Sequence, residues 1–347
     1  MLVLSTSPIY NQKIITMKKL LLVVIGLFLF TNVQAQEELK KLDLNLENYK
    51  YPYQVSFLEI EAQQETYTMA YMYVKAENPN GKTVVLLHGK NFNGAYWQTT
   101  MEALSKKGFD VLVPDQIGFG KSSKPEYFQY SFQQLAENTK NLIEALQIEE
   151  TTILGHSMGG MLATRFALMY PEITEKLVLV NPIGLEDWKL KIPYQSINDW
   201  YQQELKKDYE GIKKYQKESY YAGDWNEDYA KWAKLLAGWT LNEDYSRIAW
   251  NAALTYDMIL TQPVVYEFQE LEVPTLLIIG TRDRTALGKN LVSKEVKATM
   301  GLYEQLGKDT AEKIPNSELV EIPDTGHLPH IEAFDEFIKA LVPYLEK

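Results

Sequence analysis

Gly155-His156-Ser157-Met158-Gly159-Gly160 is the stretch on which the reading of this chain turns. A short β-prone run, Thr151-Thr152-Ile153-Leu154, leads into it, and residues 158–170 carry a helical pattern that Pro171 closes. Glycine-x-serine-x-glycine is a weak pattern by itself. Between a strand and a helix it describes a nucleophile elbow, a strained turn that holds one hydroxyl exposed. Gly155 and Gly159 flank Ser157 where a Cβ would crowd the neighbouring strand or helix. The helix start also favours negative charge forming at a bound carbonyl oxygen. The plainer alternative is a glycine-rich turn with an incidental serine, and the flanking elements favour the elbow.

Working outward, five apolar, β-branched runs recur at residues 83–87, 111–113, 151–154, 177–180 and 275–279, with a more mixed sixth at 319–322. Near-continuous apolarity suits strands buried on both faces, as parallel sheets flanked by helices require. Residues 54–61 and 66–74 are more polar and read as a leading antiparallel pair, with Asn78-Pro79-Asn80-Gly81 turning into the first buried strand. Residues 132–146 place Phe132, Leu135, Ala136, Leu142, Ile143 and Leu146 on one stripe, and Ser131 with Gln134 predicts a capping box. The fold class is therefore α/β, a mostly parallel sheet with helices on both faces and active loops at strand C-termini. Ser157 and the loop after His88 both fall there.

The alternation stops over residues 185–268. Six of the seven tryptophans and ten of the 23 tyrosines lie in this insert, which reads as a helical cap. Most of these aromatics are expected to form the cap's own core, and some to face a pocket beneath it. Residues 206–217 are charge-rich and read as a solvated helix face. The expected division is 45–184 and 269–347 for the two parts of the core, with 185–268 as the cap.

A serine hydroxyl needs a base, and the base an orienting acid. Of the four histidines, His327 in Asp324-Thr325-Gly326-His327 follows the last strand-like run and is the expected base. His156 is expected to brace the elbow, His88 to hold the loop that follows it, and His330 to be a packing or surface residue. Asp283, at the end of the 275–279 run, is the expected acid, with Asp187 the alternative. Acyl transfer also needs donors aimed at the oxyanion. These are expected from the backbone N–H of Met158 and from Lys90, with Asn91 as second choice.

The absence of cysteine excludes disulfides and thiolate chemistry. Met17-Lys18-Lys19, an apolar run at 20–30 and Val33-Gln34-Ala35 have the grammar of a cleavable signal peptide at 17–35. Residues 1–16 then read as an over-extended start, and the protein as exported, periplasmic or secreted. The run is shorter than the roughly 20 residues a membrane span needs, so no stable anchor is expected. The whole chain carries a formal net charge of −11, and residues 1–35 contribute three lysines and no acid. The remainder is more acidic still, which disfavours nucleic acid and anionic lipid as partners.

Together these residues resemble the α/β-hydrolase superfamily, in its capped branch of small esterases, lactonases, cofactor-free haloperoxidases, epoxide hydrolases and ring-fission-product hydrolases. The resemblance rests on His88-Gly89, Asp115-Gln116-Ile117-Gly118-Phe119-Gly120-Lys121-Ser122, the elbow, the Asp283 loop and Gly326-His327. The order Ser157, Asp283, His327 is that of the superfamily. Epoxide hydrolases of this branch attack with aspartate, so Ser157 argues against that chemistry. Ring-fission C–C hydrolases commonly have asparagine where His156 stands. Residues 285–310 carry an insertion relative to the branch. The resemblance implies a serine hydrolase of a small to medium, largely apolar ester, thioester or lactone, a small-molecule acyl substrate, with no metal or organic cofactor. C–C bond hydrolysis and an idle binding module on the same fold are the alternatives.

Overall fold

Eight strands form one sheet: β1 (Val55–Ala62), β2 (Glu65–Val74), β3 (Thr83–Leu87), β4 (Asp110–Pro114), β5 (Thr151–His156), β6 (Thr174–Val180), β7 (Thr275–Gly280) and β8 (Ser317–Ile322). The computed structural model describes residues 39–347. The expected start and signal segments, 1–16 and 17–35, lie outside the described residues. Lys41–Lys347 form one compact unit, so the cap does not separate from the core.

The sheet order is β1-β2-β4-β3-β5-β6-β7-β8. Strand β2 pairs antiparallel with both β1 and β4, and every other pairing is parallel. Every residue of β3, β5 and β7 is buried, because side chains alternate between two covered faces. Val85, Leu87, Leu277 and Ile279 enter the core on one face, and Val84, Leu86, Leu276 and Ile278 the core on the other. Strand β8, at the edge, is only half covered.

Helices α1 (Gln98–Lys106), α2 (Phe132–Ala145) and α3 (Met158–Met169) follow β3, β4 and β5. Ser131 caps α2 by accepting from the Gln134 N–H at 3.0 Å. The expected capping box is not completed, because the Gln134 amide turns along the helix to Glu137 and Asn138.

The chain leaves β3 for β4 on one side and then crosses to β5 on the other. That reversal opens a crevice beyond the strand C-termini, the usual ligand position in such sheets. Leu87 pairs with Gly155 across it, so the loop after β3 and the turn after β5 start side by side.

Within residues 185–268 lie the cap helices α4 (Ile197–Glu204), α5 (Tyr209–Ser219), α6 (Glu227–Thr240) and α7 (Tyr245–Thr261). Trp200 stacks on Tyr256 with ring centroids 5.0 Å apart, joining α4 to α7, and Tyr221 stacks on Tyr229 at 3.7 Å. Residues 285–310 form a short helix, α8 (Lys294–Lys297), and the start of α9 (Tyr303–Lys313). Helices α10 (Pro329–Glu332) and α11 (Phe334–Glu346) complete the chain. Among the described residues, no helix is long and apolar enough to cross a membrane.

Candidate active site

Strand β5 ends at His156 and α3 begins at Met158, so Ser157 alone makes the turn, at φ 56° and ψ −121°. Such a backbone costs on the order of 1–3 kcal/mol and persists only where its surroundings fix it. The Ser157 N–H donates to Val180 C=O at 3.3 Å, and its carbonyl accepts from Gly160 and Ile183 N–H at 2.9 and 3.1 Å. The turn packs too tightly for side chains: a Cβ on Gly159 would lie 2.2 Å from Leu87 O, and one on Gly155 2.0 Å from Gly159 O.

Three predicted residues meet here, each delivered by the end of a different strand. The Ser157 hydroxyl lies 3.0 Å from His327 Nε2, and His327 Nδ1 lies 2.6 Å from Asp283 Oδ2. All three are buried. Because an ionised carboxylate can only accept, Nδ1 carries the proton and Nε2 is left free to accept from the serine. Asp283 is itself oriented by the Thr285 N–H at 2.7 Å on Oδ1 and the Asn181 amide at 2.9 Å on Oδ2. Asp187, the alternative acid, lies elsewhere, accepting from Tyr266 OH at 2.8 Å and Lys189 N–H at 3.0 Å.

Two residues that the sequence did not single out complete this geometry. Asn181 follows β6; its side chain accepts from Gly280 N–H at 2.8 Å as well as donating to Asp283. It thereby extends the β6–β7 ladder by one rung past the end of the strand. Tyr220, after α5, stacks on the His327 ring (centroids 4.7 Å, 28°), and its backbone carbonyl accepts from His327 N–H at 3.3 Å.

The loop after β3 closes on the serine from the other side. A Cβ on Gly89 would sit 3.1 Å from Ser157 Cβ, which shows how near its backbone runs. Lys90 and Asn91 line the same cavity as Ser157. The Asn91 amide donates to Tyr220 OH at 3.0 Å, fixing the loop to the cap. Met158 occupies the first position of α3, where an N–H has no intrahelical acceptor.

The remaining histidines tie the loops together. Gln116 N–H donates to His88 Nε2 at 3.1 Å, so His88 Nδ1 carries the proton and donates to Gly89 C=O at 3.0 Å. His156 has the opposite tautomer: Nε2 donates to the His327 carbonyl at 2.8 Å, and Nδ1 accepts from Tyr96 OH at 3.0 Å. Tyr96 OH in turn accepts from Gly89 N–H at 3.1 Å. A hydrogen-bonded chain therefore spans the site from the Gly89 loop to the His327 loop. His330 is buried against Trp97, ring centroids 4.3 Å apart, with neither ring nitrogen hydrogen-bonded. Burial holds His88 below the usual imidazole range; His156 and His330 lie well below it, through burial first and neighbouring histidines second.

Beneath the cap is a cavity of about 530 Å³ that reaches Ser157. Trp188, Trp200 and Tyr256 line it, together with residues 284–290. The lining is less apolar than the expected substrate class implied. Lys207 belongs to the run expected to be a solvated face, yet it turns inward and pairs with buried Glu204 at 2.6 Å. A larger groove of about 810 Å³ runs past Tyr49, Tyr51 and Tyr53 and contains none of the three converging residues.

The family model for the alpha/beta hydrolase fold matches residues 82–334, and the chain belongs to that family. It is similar to the crystal structure of a probable hydrolytic enzyme from Pseudomonas aeruginosa PAO1, with 49% identity and a TM-score of 0.88, over 89% of this chain and 99% of that one. It is also 36% identical over 106 residues to an uncharacterized protein of Mycobacterium bovis, covering 30% of each chain. A further relative is the 2-hydroxy-6-oxo-2,4-heptadienoate hydrolase of Pseudomonas putida, 32% identical over 108 residues, 30% of this chain and 39% of that protein. The matched stretch thus spans well under half the length of these curated relatives.

Proposed function

We propose that this protein is a serine hydrolase that cleaves a small to medium carboxylic ester, thioester or lactone through an acyl-enzyme on Ser157. The single observation that carries the reading is the unbroken line from Ser157 Oγ through the His327 ring to Asp283, at 3.0 and 2.6 Å, beneath a strained elbow. Ser157 Oγ attacks the carbonyl carbon while His327 Nε2 takes its proton. Asp283 holds the tautomer and balances the imidazolium. Backbone N–H groups of Met158 and Lys90, with Asn91 as the alternative to Lys90, receive the oxyanion. Collapse of the tetrahedral species breaks the C–O or C–S bond, and the Nε2 proton goes to the leaving group. Water then attacks the acyl carbon, giving a proton to His327, and the acid leaves as the proton returns to Ser157.

A fluorophosphonate probe should label the wild type and not Ser157→Ala. Ser157→Ala or His327→Ala should lower turnover of p-nitrophenyl esters by roughly 10⁶. An unlabelled wild type that turns over no ester would point instead to an idle binding module.

The charged cavity supports one second reading, hydrolysis of a C–C bond in a vinylogous diketone, the activity named for the Pseudomonas putida relative. Turnover of such a diketone without turnover of p-nitrophenyl esters would select it. From residues 17–35 we further infer export, which sequencing of the mature N-terminus tests; a protein that keeps Lys18 and Lys19 refutes it.

A further inference from the structure

Within the cavity, and among the described residues, the Lys90 side chain makes no close ion pair. Its Nζ rests 3.4 Å from the centroid of the Tyr256 ring, and among the described residues no carboxylate lies within ion-pair distance of it. Glu204, the carboxylate whose charge acts on it, is already paired with Lys207 at 2.6 Å. Lys207 also donates to Tyr256 OH at 3.4 Å. Two ammonium groups thus approach one tyrosine, one over its face and one at its hydroxyl, against a single carboxylate.

The imbalance extends along the cavity. Its lining holds Lys90, Lys207, Arg284, Lys289 and Lys297 against Glu204 and Glu218. Of these cations, Arg284 pairs with Glu304 at 2.8 Å, outside the lining. A chain whose formal charge is −11 has therefore gathered cations around a hollow that reaches its serine. Such a field concentrates anions. An apolar side chain of similar length at position 90 would cover Tyr256 equally well without the cost of a secluded ammonium.

We propose that the cavity is built for a substrate bearing a free carboxylate in addition to its scissile ester, thioester or lactone bond, and that Lys90 Nζ, backed by Lys207, receives that carboxylate. The proposal rests on the serine-hydrolase reading and narrows its substrate class. One residue then serves both ends of the substrate: the Lys90 backbone N–H faces the reacting carbonyl, and its side chain holds the remote acid group.

Burial lowers the Lys90 amine to about 7, with Glu204 opposing and Lys207 adding to the shift. The other groups facing it do not titrate near neutrality: Lys207 is raised by Glu204, Glu204 is lowered by its two lysines, and burial raises Tyr215, Tyr220 and Tyr256. Below pH ~7 the free enzyme presents an ammonium, and above it a neutral amine. Recognition of the carboxylate should therefore weaken as pH rises through that point.

The test compares p-nitrophenyl hemiglutarate with p-nitrophenyl valerate, which match in length and differ in the terminal charge. A charge-assisted hydrogen bond to a carboxylate corresponds to a preference of roughly 10- to 100-fold in kcat/KM for the hemiester. That ratio should fall as pH is raised from 6 to 8, while any pH dependence of the shared acyl chemistry cancels between the two substrates. It should collapse in Lys90→Met and be largely kept in Lys90→Arg. Equal kcat/KM for the two esters, or a ratio indifferent to pH and to Lys90→Met, would overturn the proposal and leave the serine hydrolase standing. If neither ester turns over, the hydrolase reading fails on its own. Calorimetry on Ser157→Ala then decides the carboxylate separately: monomethyl glutarate should bind at least 10-fold tighter than dimethyl glutarate, and equal binding refutes it.

Discussion

Asn181→Ala separates support of the site from the chemistry performed in it. The native amide accepts from Gly280 N–H at 2.8 Å and donates to Asp283 Oδ2 at 2.9 Å and Gly280 C=O at 3.2 Å. Truncation strands the buried Gly280 N–H, at about 1–3 kcal/mol, and removes a bond to a carboxylate, at about 1.5–3 kcal/mol. The Gly280 carbonyl keeps a partner in Asp283 N–H at 3.3 Å, so it adds little. Asn181 also sits at φ 35°, a conformation asparagine tolerates better than alanine. With partial repair by water, the expected loss is about 3–5 kcal/mol of stability. Loss of the hold on Asp283 should lower kcat about 10-fold or more. Urea unfolding followed by circular dichroism gives the first quantity, and p-nitrophenyl ester turnover at low temperature the second. Asn181→Asp is the discriminating partner: it can still accept from Gly280 N–H but sets a second carboxylate against Asp283, so it should recover part of the stability and little of the activity. An Asn181→Ala protein within 1 kcal/mol of wild type, with unchanged kcat, would refute the reasoning.

The other predictions concern the acid, the elbow and the buried imidazoles. Asp283→Asn should lower kcat by about 10⁴ through loss of the correct tautomer, whereas Asp187→Asn should stay within a few-fold; the reverse pattern would reassign the acid. Gly159→Ala places a Cβ 2.2 Å from Leu87 O in unyielding backbone, so the variant should lose most soluble yield or fluorophosphonate labelling, and a normal labelling rate would contradict the packing described. Burial holds His88, and still more His156 and His330, below the value of about 6.5 at which the unfolded chain takes up their protons. Stability from this source is full above that pH and falls below it, by up to about 1.4 kcal/mol per pH unit for each histidine. Urea midpoints at pH 5.5 and 7.5 check this. His330→Phe should flatten the slope by about one proton and cost no stability at pH 7.5, since neither ring nitrogen has a partner to lose.

The central strands were legible because burial on both faces leaves little but β-branched and aliphatic residues in them. The three converging side chains were legible for a related reason: each follows the C-terminal end of a strand-like run, where the chain turns toward the crevice. Asn181 was not, although an uncharged amide directly after the Leu177–Val180 run and before Pro182 was the available signal. Its role depends on which strand becomes its neighbour, which no local pattern states. Tyr220 lay hidden among ten tyrosines whose partners are set by tertiary packing. The charge run at 206–217 looked like a solvated face because periodicity cannot show that Lys207 precedes the helix and turns inward. Residues 285–310 have no clear period, and their contribution is a cavity wall, a property of position alone.

Tyr220 also restricts how the cap can move. Its carbonyl lies so close over Gly326 that a Cβ there would approach within 1.8 Å of the oxygen, and its ring lies flat on the imidazole. Swinging this corner outward would unclasp the His327 ring, and the Asn91 anchor with it. An opening of the cavity that spares His327 therefore has to leave this tyrosine rivet in place.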